Sequence, residues 1–192
     1  MALRFEEADK EAVDLMEALR AKLFSWAKKA QIKLLFDTKK RKKSGMLVMG
    51  SITKPGELLR YFSRQDAKTI QGYDYVITLD KMAWCGIEKA DKIRILRHEL
   101  RHICIDDDKP DPYMLQPHDV NDFEVEIGLN QDDPDWGKRV ATITAAGYKN
   151  EANGLHPYQG AVPGAGKPEE KPVTKKRYTL DKQKTMSTEA GQ

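Results

Sequence analysis

The sequence predicts an α+β domain in which a short sheet packs on an N-terminal helix and on a second, histidine-bearing helix. Three observations carry this. Two segments show apolar residues at helical spacing, two others have strand composition between turn signals, and in the last forty-odd residues large apolar side chains nearly vanish. The expected organisation is one folded domain over residues 1–149 and a disordered polar tail over 150–192.

Glu6 to Ala30 reads as a long amphipathic helix, with Val13, Met16, Leu19, Leu23 and Trp26 recurring at threes and fours. Asp37 to Ser44 (DTKKRKKS) is a basic run that ends at Gly45 and suits a solvated loop. Met46 to Thr53 has strand composition, and Pro55-Gly56 breaks it before a short helix over Glu57–Lys68 carrying Leu58, Leu59 and Phe62. Tyr73 to Leu79 (YDYVITL) is the clearest strand, with Tyr75, Ile77 and Leu79 on one face and an edge free to pair with an extended peptide. Trp84 follows as a packing residue.

Asp91–Cys104 (DKIRILRHELRHIC) then predicts a helix, with Asp91 as its N-cap and Ile93, Leu96, Leu100 and Ile103 as the buried stripe. Asp106–Pro112 is a turn. Asp119–Leu129 suits a helix with Val120, Phe123 and Ile127 inward, and Pro134–Gly147 a further short helix around Trp136. From Asn150 onward the composition cannot bury enough surface to offset the entropy of ordering it.

Composition narrows the function. A net charge of +3 is too small for a strongly basic nucleic-acid binder, and no apolar run approaches the roughly 20 residues of a membrane span. The N-terminus lacks a secretory apolar core. Cys85 and Cys104 lack metal-ligand spacing and fit buried free thiols in a reduced, cytoplasmic setting.

The chemistry concentrates in His98-Glu99-Leu100-Arg101-His102, an HExxH sequence. Histidines four apart on a helix share a face, about 5.4 Å of rise from each other, so their ring nitrogens can hold one zinc ion. Glu99 borders that face and can take a proton from a zinc-polarised water without being a ligand, as in zinc metallopeptidases. A catalytic zinc needs a third protein ligand and an open position. His118 is the leading candidate, beyond the Pro117-stiffened loop, with Glu124 and Glu126 as rivals. Asp119 and Asp122 can orient a ligating ring or cap a helix, and Tyr113 and Arg101 have the chemistry to steady an oxyanion. His156 lies in the tail, away from these groups.

The runs YDYVITLDKMAW, RHELRHICIDDD and PHDVNDF, in that order, resemble the putative phage metallopeptidase family and, more distantly, SprT-like zinc proteases. The resemblance spans roughly residues 40–130. It implies a small zincin-like domain, Zn2+ on His98, His102 and His118, Glu99 as general base, a protein or peptide substrate, and a phage- or prophage-encoded protein in the bacterial cytoplasm. The alternative is a nucleic-acid-associated protein, or a DNA-dependent protease, that uses Lys39–Lys43 and the tail for weak contact and carries a structural or regulatory zinc.

Overall fold

A computed structural model describes residues 3–119 and 122–156. In chain order the elements are β1 (Phe5–Glu7), α1 (Lys10–Leu23), a 3-10 turn (Ser25–Lys29), β2 (Ile32–Asp37), β3 (Lys42–Lys43), β4 (Met46–Leu47), β5 (Gly50–Thr53), α2 (Glu57–Ala67), β6 (Tyr75–Asp80), α3 (Lys81–Gly86), α4 (Lys89–Arg101), β7 (Ile103–Ile105), β8 (Tyr113–Leu115), α5 (Glu124–Leu129) and α6 (Trp136–Ala152). The main sheet runs β1-β2-β6-β5, with β2 and β6 parallel and both outer strands antiparallel to their neighbours. Two small hairpins, β3–β4 and β7–β8, stand apart from it.

The core lies on one face of this sheet. Leu34 and Phe36 of β2 and Tyr75, Ile77 and Leu79 of β6 alternate inward, as period-two strands require. They meet Met16 and Leu19 from α1 and Leu96 and Leu100 from α4 in one cluster. The α+β class and the packing of the sheet on the first helix and the HExxH helix are therefore as the sequence predicts.

Several local expectations change. The N-terminal helix is bounded by Asp9, which caps Ala12 N–H at 2.8 Å, and it stops at Leu23 instead of reaching Ala30. The reason is Arg20, which is buried and donates to the carbonyls of Ala27 (2.8 Å), Lys28 (3.2 Å) and Ala30 (2.7 Å). Those bonds tie the 3-10 turn over Ser25–Lys29 back onto α1 and satisfy carbonyls at its end. Val13, Leu23 and Trp26, expected on the buried stripe, are exposed. Asp91 is not an N-cap; the helix starts earlier, after Glu88, and the buried Asp91 carboxylate pairs with Arg94 and Arg139. Leu58, Leu59 and Phe62 face solvent on α2, and Ile127 is exposed on α5. Val120 lies outside the described residues. Cys85 is exposed and Cys104 half-buried, so the buried-thiol expectation fails for the first.

Two topological findings bear on the site. The strand before the HExxH helix, β6, is interior, hydrogen-bonded by β2 on one side and β5 on the other. The unpaired edge on that side of the sheet belongs to β5. The expected start of the tail at Asn150 falls inside α6, which continues to Ala152; the tail beyond His156 lies outside the described residues. Among the described residues no helix is long and apolar enough to cross a membrane.

Candidate metal centre

His98 and His102 sit at the end of α4, whose buried stripe of Leu96 and Leu100 fixes the rotation of the helix and so the direction of the histidine face. The third imidazole returns by way of the β7–β8 hairpin, which pairs Ile103 with Leu115 directly after the helix. One residue beyond that ladder, Gln116 N–H donates to the His102 carbonyl at 2.7 Å. The hairpin is pinned to the sheet by the Tyr75 hydroxyl, which donates to the carbonyls of Met114 (2.8 Å) and Cys104 (3.1 Å). Lys54 holds its far side through Asp111 (2.7 Å) and the Tyr113 carbonyl. His118, two residues past Gln116, is thereby delivered to the histidine face.

The resulting geometry is tight. His118 Nε2 lies 3.1 Å from His98 Nε2 and 3.1 Å from His102 Nε2. Ligand atoms of the three residues all fall within 4.8 Å of one another, a group that could hold a metal ion. The outer ring nitrogens are committed elsewhere: His98 Nδ1 faces Asp122 Oδ1 at 2.9 Å, and His102 Nδ1 faces the Gln116 carbonyl oxygen at 2.7 Å. Each partner is an acceptor, so both rings carry a proton on Nδ1 and turn a bare lone pair inward at Nε2. Burial lowers the pKa of both rings, which favours the neutral form that can bind a cation. Phe123, itself buried, packs edge-on against all three imidazoles, with centroids 5.7, 4.8 and 5.0 Å away.

Glu99 leaves the same helix toward the sheet and is almost fully buried, 5% exposed. It lies against β5 at Gly50, where a Cβ atom would stand 2.7 Å from Glu99 Oε1. Only a glycine admits the carboxylate there without displacing it. Burial pushes the Glu99 carboxyl up to about 8, against the opposing pull of Arg41 and of the Ile52 backbone N–H.

The remaining candidates are placed as follows. Glu126 points to Arg97 and Arg101 and not to the imidazoles, and Glu124 is exposed. Asp119 accepts from the Glu124 N–H at 3.1 Å, the capping use, whereas Asp122 takes the orienting one on His98. Arg101 is held by Glu126 and lies over the Phe24 ring, and Tyr113 packs against Tyr75. In the basic run, Arg41 turns inward to Asp37, Ser51 and Thr78, and Lys40 lies over the Tyr148 ring. Residues that spacing alone did not single out are Gly50, Arg97 and Gln116. Only Arg97 had a visible signal: it stands one residue before His98, as Arg101 does before His102.

Fold and centre together define an α+β domain with a three-histidine candidate metal site on an HExxH helix and a buried glutamate beside it. The family model described as "Putative phage metallopeptidase" matches residues 3–145, and the chain belongs to that family. Comparison with curated proteins and with solved structures returned no match. The family's description is that of a metallopeptidase, and a metallopeptidase requires a metal.

Proposed function

We propose that the protein is a zinc-dependent metallopeptidase with His98, His102 and His118 as ligands and Glu99 as general base. The observation that carries the reading is the convergence of three imidazoles, with His118 Nε2 3.1 Å from the Nε2 atoms of both His98 and His102, whose own Nδ1 atoms are already bonded. Tetrahedral ligation at about 2.0–2.1 Å places ligand nitrogens roughly 3.3–3.4 Å apart, close to what these residues already adopt. His98 and His102 both turn a lone pair toward His118 Nε2, and a cation among the three rings would be held by all of them, so the donor set fits zinc. When bound, zinc supplies Lewis acidity, polarising the scissile carbonyl and acidifying water.

The chain's own residues do the rest. Glu99 accepts a proton from water as its oxygen bonds to the peptide carbonyl carbon, and passes that proton to the amine nitrogen as the C–N bond breaks. A carboxyl whose pKa stands near 8 through burial is mostly protonated at neutral pH, so positive charge beside Glu99 raises the share in the ionised, proton-accepting form. Base function and metal occupancy are thereby coupled. An extended peptide would align along β5, the outermost strand on that side of the sheet, by strand addition. On this reading the substrate is a protein or peptide, and the enzyme is phage- or prophage-encoded and acts inside the bacterial host.

The test compares wild type with Glu99→Gln on denatured protein substrates, with zinc measured in each. The expected result is cleavage by the zinc-loaded wild type, and a variant that keeps zinc and loses turnover by at least about 10²-fold. Equal cleavage by the two would refute the role of Glu99. Zinc binding without cleavage of any substrate would favour a structural or regulatory metal.

A further inference from the structure

We infer that Glu126 is a positioning residue for the metal centre, acting through Arg97 and Arg101 on the histidine helix; this rests on the metallopeptidase reading above. Glu126 is 1% exposed. Its Oε2 accepts from Arg97 Nε at 2.5 Å and its Oε1 from Arg101 Nη2 at 3.0 Å, while Arg97 Nη2 also donates to Asn130 Oδ1 at 2.5 Å. The two arginines are four apart, so they share a helix face, and each precedes a histidine by one residue, about 100° around the helix from it. One face of α4 therefore holds the imidazoles while the adjacent face grips α5.

The segment gripped is the one that supports the centre from outside. Asp122 and Phe123 stand four and three residues before Glu126; the first holds His98 Nδ1 and the second packs on all three rings. A slip of α5 along α4 would move both. Apolar side chains could pack two helices at least as stably as a buried ion pair does, because desolvation offsets most of the Coulomb gain. What a forked, charged clamp adds is a fixed register: two guanidinium planes meeting one carboxylate admit a single alignment. Glu126 touches no candidate ligand, and its effect on metal binding is transmitted through that alignment.

The test measures zinc dissociation constants of Glu126→Ala and Glu126→Gln by competition with a chromogenic chelator, with far-UV circular dichroism at the same temperature to establish that each is folded. Loss of an outer support weakens metal binding by about 10–100-fold, which is expected for the alanine variant, and the isosteric glutamine should lose roughly 3–10-fold. In an Asp122→Ala background the alanine change should cost less than about threefold, because the support that Glu126 positions against His98 is already gone. Folded Glu126 variants with wild-type affinity, or the same fold-change with and without the Asp122 carboxylate, would overturn the inference. If the alanine variant does not fold, wild-type affinity in Glu126→Gln alone overturns it. A wild-type protein that takes up no zinc overturns the metallopeptidase reading as well, so the two failures are distinct.

Discussion

Replacing the ionisable carboxyl of Glu99 by an amide should make the metal-free protein more stable, although it destroys the proposed activity. The folded carboxyl has its pKa raised from 4.5 to about 8 by burial. A group raised in the folded state contributes stability that is complete below its unfolded pKa and is lost as pH climbs through the folded one. At pH 7 the folded carboxyl is still protonated while the unfolded one is ionised. The gap between 7 and 4.5, at about 1.4 kcal/mol per pH unit, corresponds to a loss on the order of 3 kcal/mol. Glu99→Gln fills the same volume, can still accept from the Ile52 N–H, and never ionises. The variant should therefore melt roughly 6–12 °C higher than wild type at pH 7, for a domain of this size. The assay is thermal and urea unfolding of both proteins in chelator between pH 5 and 8.5. The difference should be small at pH 5 and widen steadily toward pH 8. A variant less stable than wild type, or a difference that ignores pH, would refute the claim that Glu99 is held against its own ionisation.

Gly50→Ala sets a Cβ 2.7 Å from Glu99 Oε1 and 3.1 Å from Ile95 Cγ2. The carboxylate end must move aside, so we expect stability to fall by only about 1–2 kcal/mol and zinc content to hold, while kcat drops by an order of magnitude or more. Steady-state kinetics beside a denaturation curve checks this. Asp122→Ala leaves His98 Nδ1 without its acceptor, and metal affinity should fall by about 10–100-fold in the chelator competition. His118→Ala should weaken zinc retention more than any of these, whereas Glu124→Ala should leave the metal content measured after dialysis unchanged.

Much of the centre was legible because its signals are local. The HExxH spacing places two imidazoles on one helical face whatever the tertiary fold, and Pro117-His118 stands within a hairpin's reach of that helix. The strand at Tyr75–Leu79 and the helix over Glu57–Ala67 were equally visible from composition and flanking turns. What escaped is non-local. Ile32–Asp37, the partner of β6 throughout its length, gives a weak signal beside a basic run, because Leu35 falls on the same face as Lys33 and Asp37 and breaks the alternation. The short strands of β7–β8 owe their pairing to Tyr75 and Lys54 from distant parts of the chain, which no window of sequence contains. Glu126 has ligand chemistry, and only the arrangement of Arg97 and Arg101 shows where its carboxylate goes. Asp91 illustrates the same limit: an acid near a helix start is read as a cap until Arg139, from another helix, pairs with it.

The most direct test of the central claim is zinc K-edge X-ray absorption on the purified, zinc-loaded protein, repeated on His118→Ala. The account predicts one zinc with three imidazole nitrogens at about 2.0–2.1 Å and one exchangeable light ligand, and the loss of one imidazole in the variant. A sulfur shell, two or fewer imidazoles in the wild type, or zinc that dialyses away would contradict it.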